Sequence, residues 1–285
     1  MNTGLRITVF AAALAATFGT AYGVGTSVGG ISAEPERTAH QKHATASHDE
    51  HGGGSHEPAA PPGGLQMSDG GYTLHLKTPA VEAGRNTILR FTIVRDATGR
   101  PLTAYRREHT KELHLIIASR DLTRYRHLHP TRAADGTWST PVKLPAAGTY
   151  RVFADFTPRG GEGLTLGADL TASGAYKPEP LPAPGTTAVT DGYEVSLRGR
   201  PAPGRSSELT LTVSRNGKPV RDLQPYLGAY GHLVALRSGD LAFTTTVPSP
   251  GTYRLFLDFK HAGEVHTAAF TVRALPDDGA VRPAA

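Results

Sequence analysis

Cysteine is absent from the 285 residues, and methionine occurs only as Met1 and Met67. Disulfides, thiolate metal sites, a lipid anchor on cysteine and cysteine nucleophiles are excluded together, and methionine-rich Cu(I) sites with them. A metal site in this chain must use His, carboxylate or an isolated Met. After the first 28 residues there is no long apolar run, and no stretch carries a sustained helical period, so little helix is expected. The formal net charge is +5 and the pI is near 9.5. The Lys and Arg residues are scattered among acids rather than gathered into a stripe with interleaved aromatics, which argues against nucleic acid as a partner.

What is present is punctuation. The 33 Gly and 22 Pro separate short runs of Val, Leu, Thr, Tyr and Phe, the pattern of β-sheet modules, and 285 residues accommodate about two domains. At the N-terminus Arg6 is followed by no charged residue until Glu34, and Ile7 to Val28 is apolar and small. Residues 1–33 read as a signal peptide or an uncleaved signal anchor, with residues 7–28 long enough to cross a membrane. The expected location is extracytoplasmic, either membrane-anchored or secreted after cleavage.

Residues 34–66 have almost no large apolar side chain and are expected to be a disordered linker. This linker carries His40, His43, His48, His51 and His56 beside Asp49, Glu50 and Glu57, a chelating tract for divalent ions. A polar spacer is the plainer reading of the same residues.

The chain then repeats itself. "GYTLHL" from Gly71, "ELHLIIASRDL" and "LPAAGTYRVFADF" return in order as "GYEVSL" from Gly192, "YGHLVALRSGDL" and "VPSPGTYRLFLDF". The expected architecture is all-β: two tandem Ig-like or cupredoxin-like antiparallel β-sandwiches, at 67–175 and 189–275. A Pro-rich connector at 176–188 joins them, and a disordered tail follows at 276–285. Within "GTYRVFADF", Tyr150, Val152, Ala154 and Phe156 share one face, and Arg151, Phe153 and Asp155 the other. Tyr253, Leu255, Leu257 and Phe259 against Arg254, Phe256 and Asp258 repeat the pattern. The two Asp residues lie among apolar neighbours and require a partner or solvent.

The segment "ELHLIIASRDLTRYRHLHP" predicts a hairpin that turns at Ser119-Arg120-Asp121 and brings His127 opposite Leu113 or His114. In one register His114, His127, His129 and Glu112 converge on one face, with His109 a further candidate ligand; a slip of one residue sends His114 to the other face. Three imidazoles with a carboxylate or water suit Cu(II) or Zn(II). A hydrogen-bonded His114 at the rim with the other two exposed is the bland alternative. The second copy keeps His232 in the place of His114 but has only ten residues between Asp240 and Gly251, so it lacks the His-x-His-Pro return. Instead "FKHAGEVHTAAF" supplies His261 and His266, which join His232 if the strand ends meet.

These paired segments resemble the exported actinobacterial β-sandwich repeat proteins described as heavy-metal-associated, YtkA-like or CopC-like. The resemblance covers roughly Gly71 to Arg273. It implies an extracytoplasmic sandwich and copper or other metal handling, with a membrane metal transporter as an implied partner. In those relatives the second copy also carries His-x-His-Pro, so this chain has a shortened second copy. The expected function is therefore that of a metal-binding buffer or carrier for a divalent ion, copper favoured and zinc second. The alternative is a non-catalytic interaction protein of tandem Ig-like modules on a membrane stalk. No phosphate-binding Gly loop or His-Glu-x-x-His is present, and the Gly-x-Ser-x-Gly at residues 25–29 falls in the N-terminal apolar segment, so no enzyme is expected.

Overall fold

The computed structural model describes residues 62–276 apart from residue 245. The expected N-terminal signal peptide or anchor, nearly all of the linker and most of the tail lie outside the described residues. Those described contain strands and no α-helix.

Four sheets stack as layers, two to each module. The inner sheet of the first module orders Ala80–Glu82, Leu164–Ser173, Gly148–Pro158, Leu113–Ser119 and Tyr125–Leu128. Its outer sheet centres on Tyr72–Leu76, Thr87–Arg95 and Trp138–Val142. In the second module the inner sheet orders Phe243–Thr244, His232–Arg237, Gly251–His261 and Glu264–Ala274, and the outer sheet runs from Thr187–Thr190 to Lys218–Pro219. Pairing is antiparallel except between Ala80–Glu82 and Leu164–Ser173, which are parallel.

Alternation in the sequence follows which faces are covered. Tyr193–Arg198 lies on an outer sheet and alternates buried with exposed or half-buried residues. Leu113–Ser119, "LHLIIAS", is buried at every residue, because its sheet is covered on both faces. Leu113, Leu115 and Ile117 join the core of the first module, with Leu89, Phe91, Ile93 and Trp138 opposite. Ile116 and Ala118 point the other way, toward the second module. In both modules a tyrosine hydroxyl donates four residues back to a main-chain carbonyl, Tyr150 to Ala146 and Tyr253 to Ser249, each at 2.8 Å.

The apolar cluster between the modules has a two-fold logic. Ile116, Ala118, Leu122 and Phe153 of the first copy meet Val234, Leu236, Leu241 and Phe256, their counterparts in the second. Tyr125 stacks on Phe256 at 4.1 Å and 8°, and reciprocally Phe243 packs on Phe153 at 5.8 Å. Burying side chains of this size stabilises by about 1.5–3 kcal/mol each, so the modules dock through a core of their own. The connector follows the same seam: Arg124 pairs with Glu179, and Leu181 packs against the cluster.

The last linker residues belong to the fold. Gly63 bridges Phe243, and the carbonyls of Gly64 and Leu65 accept from the Arg151 guanidinium at 2.7–3.1 Å. A side chain at Gly167 would collide with the Gly64 carbonyl, which accounts for the glycine there.

Candidate metal centre

The hairpin that carries His127 and His129 turns later than its sequence suggests. Ser119 donates its N–H to the Arg124 carbonyl, and Asp121 Oδ1 accepts from Ser119 Oγ, the Thr123 N–H and Thr123 Oγ1 at 2.5–3.1 Å. Leu122 takes φ 57°, a left-handed conformation that no glycine announces. The resulting register sets His127 opposite Ile116 and Tyr125 opposite Ala118, rather than His127 opposite Leu113 or His114. The difference from a His114 pairing is two residues. An even shift preserves the face, so His114, His127 and His129 still converge.

All three lie on the face turned toward the second module. His114 Nδ1 is 3.2 Å from His127 Nε2 and 3.3 Å from His129 Nε2, and one nitrogen from each ring lies within 4.8 Å of the other two. The outer nitrogens are committed. His114 Nε2–H donates to the Glu108 carbonyl at 3.2 Å, and His127 Nδ1–H donates to Asp258 Oδ2 at 2.9 Å. His129 Nδ1 stands 3.5 Å from the Tyr226 hydroxyl. A carbonyl and a carboxylate only accept, so in the neutral rings of His114 and His127 the facing nitrogens both carry lone pairs. Two lone pairs 3.2 Å apart require a proton or a metal ion between the rings. Tetrahedral ligation at Zn–N distances of about 2.0–2.1 Å separates nitrogens by about 3.3 Å, close to the two distances from His114 Nδ1.

Burial controls the protonation of His114 and His129. It pulls His114 down to about 4 from 6.5, with the nearby His127 charge adding to the effect. His129 falls to about 3 through burial and through His127 and His114. Neutral imidazole is the ligand form, and the pocket selects it.

Two more imidazoles close the cluster. His109 sits at φ 49° in a tight turn with Thr110 at φ 72°, while Glu108 bridges Lys111. Its ring lies 6.2 Å from His114 and 5.5 Å from His232. His232 stands 6.2 Å from His127, and its Nε2–H donates to the Tyr226 carbonyl at 2.7 Å, repeating the bond of His114 to Glu108. Burial lowers the His232 pKa as well.

Other expected ligands lie elsewhere. Glu112 is held by the Arg132 guanidinium at 3.1 Å, outside the imidazole cluster. His261 and His266 do not join His232. His232 pairs with Asp258 and His266 with Phe259, and adjacent strand residues face opposite sides of the sheet. His261 Nε2–H donates to Asp222 at 3.2 Å and its Nδ1 accepts from the Tyr193 hydroxyl at 2.7 Å, so both ring nitrogens are used. His266 Nδ1 pairs with Asp191 at 2.9 Å. His40, His43, His48, His51 and His56 lie outside the described residues.

The sequence did not mark Tyr226 as part of the site. It did mark Asp258 and Asp155 as acids in need of partners. Asp258 takes His127 on one oxygen and Thr267 Oγ1 on the other at 2.6 Å. Asp155, opposite His114, accepts from Thr165 at 2.8 Å, and burial raises its pKa to about 6. Phe243 pairs in the second copy as Tyr125 does in the first. Counting along the sequence from there, Thr245 and Val247 stand where the first copy has His127 and His129, so the repeat carries the His pair once.

No curated protein matches the chain. Among solved structures it is similar to S. aureus TarS, at 10% identity over 72% of this chain and 36% of that one, with a TM-score of 0.22. It is also similar to the tandem Ig repeats of Dlar, at 10% identity over 72% of this chain and 98% of that one, with a TM-score of 0.21. The chain thus spans about a third of the TarS structure. A single family matches residues 66–174 and 187–275, one stretch over each module, and the chain belongs to it: the family described as Domain of unknown function (DUF8832).

Proposed function

We propose that this protein is an extracytoplasmic metal-binding protein, a buffer or carrier for a divalent ion, with copper favoured and zinc second. The observation that carries the reading is the convergence of His114 Nδ1, His127 Nε2 and His129 Nε2, with the outer nitrogens of His114 and His127 committed to acceptors and burial keeping His114 and His129 neutral. An ion bound there completes three nitrogen bonds and relieves the repulsion between the rings. Copper ranks first because imidazole sites follow the Irving–Williams order, which peaks at Cu(II). The linker histidines would capture ions ahead of the folded site, and residues 7–28 would direct export or hold the protein at a membrane, with a metal transporter as the implied partner. The metal association of the exported repeat proteins that the sequence resembles supports the same reading. The two modules are read as Ig-like, since each has a tyrosine that closes a corner onto its own backbone.

The test is calorimetric titration of Cu(II) and Zn(II) into the chain from Pro58 onward, which keeps the Gly63–Gln66 strap and removes the five linker histidines. About one ion should bind, and binding should vanish in the His114→Ala/His127→Ala/His129→Ala variant. Equal binding by both proteins contradicts the site. Binding by neither leaves a non-catalytic interaction protein of tandem modules as the reading.

A further inference from the structure

Asp258 comes from the second module and His127 from the first, 131 residues apart in the chain. Their side chains are only 3% and 6% exposed, so the contact between them is dry and charge-assisted. It fixes which His127 nitrogen carries the hydrogen and turns Nε2 toward His114 and His129. The Thr267 hydroxyl holds the carboxylate from behind. Tyr226, also of the second module, approaches the outer nitrogen of His129. His232 closes the ring of imidazoles from the same side, with centroids running 5.1, 6.2, 5.5, 6.2 and 4.8 Å around His129, His114, His109, His232 and His127.

We propose that the second module completes the metal site: Asp258 is a positioning residue for His127, and the ion is held tightly only while the two modules are docked. This rests on the metal-binding reading above. Each ligand in the first module has its orientation set by a partner, and for His127 and His129 that partner is across the seam. Separating the sheets removes the carboxylate and the phenol together and admits water to both rings. By thermodynamic reciprocity, whatever factor docking adds to metal affinity the metal adds to docking. The metal is then a clamp on the interface as well as cargo, and opening of the seam is its route of release. The apolar cluster of Ile116, Phe153, Leu236 and Phe256 sets the strength of the same equilibrium without touching the ion.

The absence of cysteine makes the experiment direct, because two introduced cysteines are the only labelling sites. Spin labels at Glu82→Cys in the first module and Glu194→Cys in the second report the inter-module distance in the full chain; both residues are exposed. Zn(II), which is diamagnetic, serves as the probe, and its affinity is measured by competition with a chelator in the chain from Pro58 onward. Zn(II) should narrow the distance distribution of the otherwise unaltered chain. Asp258→Ala should weaken Zn(II) by about 10- to 100-fold, and Asp258→Asn, which keeps an oxygen acceptor, should recover part of that loss. Leu236→Glu, placed in the apolar cluster, should broaden the distances and weaken Zn(II) at least tenfold. The proposal is overturned if Asp258→Ala binds Zn(II) as tightly as the parent, or if Leu236→Glu shows separated modules with undiminished affinity. Should Leu236→Glu fail to fold, Asp258→Ala and Asp258→Asn decide the matter alone. Absence of both Zn(II) and Cu(II) binding by the parent chain overturns the metal reading itself, which the variants distinguish from a site confined to one module.

Discussion

Burial of neutral imidazole governs how the apo protein responds to acid. His114 titrates at about 4 and His129 at about 3 in the folded chain, against 6.5 ordinarily, and His232 is also lowered. The unfolded chain therefore binds more protons below pH 6.5, and stability falls as pH drops through that window toward 4. For His114 alone the loss is about 2 kcal/mol by pH 5. Asp155 works the other way. Its folded pKa of about 6 lies above the ordinary 3.8, so protonating it in the same window favours the folded state. Three depressed histidines outweigh one raised aspartate, and the urea midpoint of metal-free protein should be clearly lower at pH 5 than at pH 7.5. An unchanged or higher midpoint at pH 5 would show that these rings are not buried neutral.

At the scale of the element, one turn carries the site. Asp121 organises the chain reversal between Leu113–Ser119 and Tyr125–Leu128 with bonds to Ser119 and Thr123, and accepts at 3.3 Å from the Glu179 N–H of the connector. Asp121→Ala should cost about 1–3 kcal/mol in a denaturation experiment, and should weaken Zn(II) binding too, because His127 and His129 take their register from this turn. Loss of stability with metal affinity intact would sever the turn from the site. Much of this element was legible in the sequence. Period-two spacing put His127 and His129 on one face, and the run from Leu113 to Ala118 marked the outgoing strand of the hairpin. The register itself was not legible, because Leu122 adopts a left-handed conformation without a glycine to signal it. Nor was the placement of His232 away from His266, which depends on one residue of parity between Asp258 and Phe259.

The described residues form four sheets with three apolar layers between them, and the middle layer joins the modules. Because that layer is made of equivalent residues from both copies, the modules should unfold together. Calorimetry of the chain from Pro58 onward should show one cooperative transition, and Phe256→Ala, which empties the seam and removes the ring under Tyr125, should cost about 3–5 kcal/mol of stability and lower its midpoint. Two separate transitions in the parent would contradict a docked pair. The repeat was visible in the sequence, but the seam was not: Asp258 and His127 meet across 131 residues, and no local pattern records such a contact. The measurement that tests the central claim most directly is an anomalous-difference map from crystals grown with Zn(II) and the chain from Pro58 onward. The account predicts one strong peak about 2.0–2.1 Å from His114 Nδ1, His127 Nε2 and His129 Nε2. Fully occupied zinc elsewhere on the fold, with these three nitrogens bare, would contradict it.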